Sequence, residues 1–124
     1  MSQLRLRAGE DDEAYLDRVR GTVAPCIAQL ANAATGVGVR KEINDAVVGL
    51  YNSPRAAVRV GALVATEEIY HLAGAVFISF LPDTLSLFTE LLEDESAQVE
   101  TQARRLRKVI EAELGETLDA YLGK

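Results

Sequence analysis

Arg104, Arg105, Arg107 and Lys108 form the one dense cluster of cationic chemistry in the chain. They are the candidate contact for a phosphate group, an RNA or an acidic partner. On a helix Arg104 and Lys108 share a face with Glu100 one turn earlier, so an ion-paired surface is the competing reading. No aromatic residue lies close enough in sequence to stack a nucleobase. His71 is the single histidine and has no second histidine or cysteine at ligand spacing, so neither a metal site nor a general base is expected there. The strained Gly-x-Ser-x-Gly turn that presents a nucleophilic serine is absent. The acidic runs from Glu10 to Glu13 and from Glu93 to Glu95 fall at helix ends. There the helix dipole favours them as solvated caps, in preference to a paired acid and base. Gly36-Val37-Gly38 follows no strand and precedes no Gly-Lys-Ser/Thr, and reads as a linker. The lone Cys26 can form no internal disulfide, and among Val23, Pro25 and Ile27 it is expected to be a small buried hydrophobe. No catalytic, cofactor-binding or metal-ligating residue is assigned.

The elements that must position these residues are helices. In residues 80–115, Leu81, Leu85, Phe88 and Leu92 recur at helical spacing, with Leu87 and Leu91 widening the stripe. Val99, Ala103, Leu106, Ile110 and Leu114 then form one apolar stripe of a second helix. Glu93-Asp94-Glu95-Ser96 is a short polar connector in which Asp94 or Ser96 can cap that second helix, so the two must be antiparallel neighbours. Upstream, residues 39–51 read as a helix with Ile43, Val47, Leu50 and Tyr51 inward. Ser53 and Pro54 open another that ends near Ala73, with Gly74 as its stop and residues 75–80 as a turn. Adding 41 to Val58, Ala62, Ala65, Ile69 and Ala73 gives Val99, Ala103, Leu106, Ile110 and Leu114, and Gly74 maps onto Gly115. Two antiparallel helices repeated at a period near forty fall in the HEAT and armadillo range, and two helices per unit favour HEAT.

Residues 11–33 supply a further helical face through Tyr15, Leu16, Val19, Val23, Cys26, Ile27 and Leu30, with a kink or break expected near Thr22 because of Gly21 and Pro25. The resulting expectation is an all-α, HEAT-type solenoid fragment. Residues 1–10 form a flexible tail and 11–124 one domain, made of a partial repeat (11–36), repeats at 39–74 and 80–115, and a short capping helix at 116–124. The length of 124 residues suits one domain, and 48% apolar with 26% charged residues indicates neither a disordered chain nor a membrane protein. The longest apolar run, residues 72–81, is interrupted by Gly74 and Ser79 and is too short to span a bilayer. The start of the chain lacks the apolar core of a signal peptide, so a soluble intracellular protein is expected. A net charge of −6 opposes non-specific attraction to a phosphate backbone while leaving room for a local basic site.

Leu81-Pro82-Asp83-Thr84, Glu90-Leu91-Leu92-Glu93-Asp94-Glu95, Val99-Glu100 and Leu114-Gly115-Glu116-Thr117-Leu118-Asp119-Ala120-Tyr121 resemble the extreme C-terminus of one family of large HEAT-repeat proteins. It is the U-three small nucleolar RNA-associated protein ten family, or HEAT-repeat-containing protein one, of the small-subunit processome. Val23-Ala24-Pro25-Cys26, Lys41-Glu42-Ile43-Asn44 and Val58-Arg59 are similar to the same region, whereas the tryptophan and proline expected near Arg40 and Glu42 are missing. The resemblance implies a nucleolar, non-catalytic scaffold in pre-ribosomal RNA processing, with no cofactor and no catalytic residue to carry over. It implies other processome proteins as partners, pre-ribosomal RNA or the U3 ribonucleoprotein reached indirectly, and neither membrane nor small-molecule substrate. Two alternatives stand beside it: a helical RNA-binding module using the ridge from Arg104 to Lys108, and a HEAT scaffold in an unrelated complex.

Overall fold

A computed structural model describes residues 4–119. The order of elements is α1 (Asp12–Arg18), a π turn (Val19–Val23), α2 (Ala24–Ala33), α3 (Val37–Gly49), a 3-10 turn (Leu50–Asn52), α4 (Ala56–Phe77), a 3-10 turn (Ile78–Phe80), α5 (Leu81–Leu91) and α6 (Ala97–Leu114). Among the described residues there is no strand. The molecule is an all-α stack of antiparallel helix pairs. α4 lies between α2 and α6 in one layer, and α3 packs on α5 in the other.

The α5–α6 hairpin follows directly from its residues. Pro82 sits in the first turn of α5, where its missing amide costs nothing. Of the two expected caps Ser96 is the one used at α6: its hydroxyl accepts from the Val99 amide at 3.4 Å, while Asp94 accepts from the amide of Ser96 itself at 3.1 Å. Val99, Ala103, Leu106 and Ile110 are buried against the core. Each large apolar side chain so buried contributes about 1.5–3 kcal/mol of transfer free energy before the entropy of ordering it is counted. Positions 41 residues apart also match in burial: Val58 with Val99, Ala62 with Ala103, Ala65 with Leu106, Ile69 with Ile110, and Val47 with Phe88.

Four local expectations are corrected. α4 does not stop at Ala73. It bends there (φ −135°, ψ 24°) and continues to Phe77, so Gly74 lies inside the helix and is no C-cap. Gly115, its counterpart in sequence, is a true left-handed cap with φ +80°. Ser53 does not cap α4 either. Pro54 holds the preceding residue extended, the helix opens at Arg55, and the Ser53 hydroxyl receives only the Arg55 amide at 3.3 Å.

In the first segment the expected kink is a π turn, in which the Ala24 amide bonds the Val19 carbonyl five residues back. This wider turn lets the buried stripe advance by fours, through Val19, Val23, Ile27 and Ala31. Cys26 and Leu30 are thereby carried off the stripe into solvent, so Cys26 is not the buried residue expected. Finally, residues 4–10 are laid against α1, where a free tail was expected. Leu4 is buried, its carbonyl accepts from the Tyr15 hydroxyl, and Arg18 bonds Glu10 and the Arg5 carbonyl. Leu118, in the stretch expected to cap the stack, is buried, while Tyr121 and Leu122 lie outside the described residues.

The helical stretch Ala56–Leu91 is long and apolar enough to cross a membrane by length and composition, with a mean hydropathy of 1.5 over its best window. Its apolarity is accounted for by position: α4 is the central helix, covered by α2, α3 and α6, and fifteen of its residues are buried.

Candidate interaction surface

The layer formed by α2, α4 and α6 carries the basic cluster, and the structure divides that cluster. Arg104 reaches back to Glu100 at 3.3 Å, an exposed pair one helical turn apart. Arg105 crosses to α4, its Nε donating to Oε1 of Glu67 at 2.9 Å, and Gln102 donates to the same oxygen at 3.1 Å. Glu67 is 7% exposed and Arg105 69% exposed. The carboxylate is therefore a structural anchor and the guanidinium is still open to solvent. Arg107 turns toward the end of the chain, holding Glu111 at 3.3 Å and Asp119 at 2.6 Å, while Glu111 also accepts from the Leu118 amide at 2.8 Å. Lys108 has no hydrogen bond or ion pair among the described residues. Three of these four neighbouring cations thus do three separate jobs, and the ion-paired reading describes Arg104, Arg105 and Arg107 but not Lys108.

The surface beside them is grooved. Between α4 and α6 an open groove of about 360 Å³ is lined by His71, Lys108, Val109, Ala112 and Glu113. Between α2 and α4 a second, of about 220 Å³, is lined by Pro25, Ala28, Gln29, Glu68, His71 and Leu72. His71 stands on the ridge shared by both. It is exposed and hydrogen-bonds neither Glu68 nor Glu113, and no hydroxyl or thiol lines either groove. This arrangement contains no oriented nucleophile, acid or base. Among the described residues no three histidine, cysteine or carboxylate side chains are placed to hold a metal.

Two features escaped the sequence reading. Arg59 of α4 donates through Nη2 to Asp94 at 3.0 Å and through Nη1 to the Ser53 carbonyl at 2.8 Å, and both side chains of the pair are only 11% exposed. It ties one helix pair to the turn of the next. The second is Glu67, whose signal was present: a carboxylate inside the buried row from Val60 to Ile69 needs a partner.

The comparisons with known proteins agree with this architecture. The chain is 33% identical over 112 residues, 89% of its length, to a HEAT repeat-containing protein 1 homolog of Dictyostelium discoideum. It is 36% identical over 100 residues, 81% of its length, to a U3 small nucleolar RNA-associated protein 10 of Pyricularia oryzae. Over most of its length, the chain is a homologue of HEAT repeat-containing protein 1. The human protein of that name is 30% identical over 121 residues, 98% of the chain. The chain spans only 5–6% of the length of these relatives. No family model and no solved structure gives a match. In this HEAT-repeat homologue the Arg59–Asp94 pair links consecutive helix hairpins, and the α2–α4–α6 layer offers the broad grooved surface.

Proposed function

We propose that the chain is a non-catalytic HEAT scaffold module that acts in nucleolar pre-ribosomal RNA processing, as part of a small-subunit processome component. The observation that carries this reading is the homology, over 81–98% of the chain, to proteins named for HEAT repeats and for association with the U3 small nucleolar RNA. The grooved helical layer without an oriented acid, base or nucleophile supports a binding role over a catalytic one. In this reading α1–α2 is the remnant of one repeat, α3–α4 and α5–α6 are two further repeats, and the stretch after Gly115 is a cap on the last of these hairpins. Other processome proteins are its direct partners, and pre-ribosomal RNA or the U3 ribonucleoprotein is reached through them.

A second reading, direct RNA contact through Arg104, Arg105, Arg107 and Lys108, draws on the exposure of Arg104 and Arg105, 67% and 69%. The two separate in one experiment. The protein is depleted in its source cells, and wild type or a variant with Arg104, Arg105 and Lys108 reversed to Glu is restored. The scaffold reading expects depletion to accumulate unprocessed pre-ribosomal RNA, and expects the variant to lose a protein partner. Unchanged processing on depletion defeats it. Loss of RNA crosslinks with all protein partners retained favours the RNA reading.

A further inference from the structure

We infer that the groove between α4 and α6 is a docking site for an acidic, apolar peptide segment of another protein, with Lys108 and Arg105 reading its carboxylates. The inference rests on the scaffold reading and names the chemistry of the partner. The floor of the groove is Val109, half-buried against the core, and Ala112, which is exposed. At one end Lys108 lines the groove, and Arg105, one turn earlier on α6, lines the adjoining hollow with Arg20, Glu67, Glu68 and Gln102. Lys108 has no partner among the described residues, and Arg105 is held to Glu67 only through Nε, which leaves both Nη groups uncommitted and the side chain 69% exposed. The Glu67 anchor fixes where that guanidinium points, so part of its ordering entropy is already spent before a partner arrives.

At the other end is Glu113, whose carboxyl group lies over Gly74: a Cβ at that glycine would meet it at 2.8 Å. Charge therefore changes sign along the groove, and the partner is given a direction. Its Asp or Glu residues face Arg105 and Lys108, its apolar anchor enters over Val109 and Ala112, and an acid beside Glu113 is rejected. RNA fits this surface less well. Every described aromatic ring, Tyr15, Tyr51, Tyr70, Phe77, Phe80 and Phe88, is buried, so none can stack a base.

The test uses a panel of synthetic amphipathic helical peptides with Leu, Ile, Met or Phe as anchor and two glutamates one turn apart, titrated into the isotope-labelled full chain and followed by amide and imidazole resonances. A single-stranded RNA of matching length is the comparison. Saturable shifts confined to His71, Lys108, Val109 and Ala112 are expected, with affinity falling about tenfold when the peptide glutamates become glutamine or when Lys108→Glu is introduced, and recovering when Lys108→Glu meets a peptide carrying lysines instead. Lys108 is exposed, and an unchanged circular dichroism spectrum confirms that the variant folds. No saturable shift from any peptide below about 1 mM, equal binding by wild type and Lys108→Glu, or RNA shifting these residues more strongly than every peptide, each overturns the inference. Those outcomes leave the processing phenotype on depletion untouched, so failure of the groove and failure of the scaffold reading are told apart.

Discussion

Arg59 and Asp94 form a nearly buried ion pair at the junction between the α3–α4 and α5–α6 hairpins. With both side chains nearly out of solvent, removing one leaves a charge that the protein cannot resolvate. Arg59→Ala is expected to lower the unfolding free energy by about 3 kcal/mol. In urea denaturation Arg59→Ala and Asp94→Ala should each show most of the loss and the double variant little more; strict additivity would deny the pairing. The two glycines 41 residues apart supply a sharper contrast. Gly115→Ala places a Cβ on a left-handed backbone and should cost about 1 kcal/mol. Gly74, beside the bend at Ala73, has no left-handed φ, and the atoms nearest to a Cβ built there belong to the flexible Glu113 side chain. Gly74→Ala should therefore stay within about 0.5 kcal/mol of wild type, since displacing Glu113 is offset by the better helix propensity of alanine. Equal losses at the two positions would show that the glycines do the same job after all.

At the scale of the element, the stretch before α1 behaves as a latch. The Arg18 guanidinium, and next the Arg7 amide, hold the Glu10 carboxyl down to about 2 from an ordinary value of 4.5. A depressed acid contributes stability that is fully present above 4.5 and is lost as pH falls through that value toward 2. The thermal midpoint of wild type should thus exceed that of Glu10→Gln at pH 6, with the gap narrowing as pH falls below 4.5 and closing only as it passes about 2. A gap constant across that range would contradict the latch.

This element also shows how far the residues could be read. The stripe Val99, Ala103, Leu106, Ile110 announced α6 because nothing interrupts its period and Ser96 marks its start. The segment around Gly21 and Pro25 announced an interruption without its form. Whether the chain breaks, kinks or widens depends on how Val19 and Val23 pack against α4, a tertiary choice that local propensity does not contain. Cys26 and Leu30 were misplaced for that reason alone. Gly74 was misread because a glycine after an apolar stripe looks alike whether it ends a helix or makes room beside a bend.

At the scale of the whole molecule, the layering follows from the repeated stripe, and the grooves follow from the layering. The cationic residues were legible as a cluster, but their division among Glu100, Glu67 and the chain end was not. Glu67 is 38 residues from Arg105, and only the packing of α4 on α6 brings them together. A direct check at this scale is Glu67→Gln, which weakens the anchor of Arg105 and leaves the hydrogen bond from Gln102 replaceable. It should cost about 1.5–3 kcal/mol of stability, the range for a hydrogen bond to a charged group, with nuclear magnetic resonance showing a more mobile Arg105 side chain. An unchanged Arg105 would mean that the pair does not position it.

The central claim is that this stack of helix hairpins serves pre-ribosomal RNA processing as a scaffold. Its most direct measurement is hybridisation analysis of ribosomal RNA precursors after depletion of the protein in its source cells. The account predicts accumulation of unprocessed precursor with loss of mature small-subunit RNA. Precursor and small-subunit RNA at the levels of undepleted cells would contradict it.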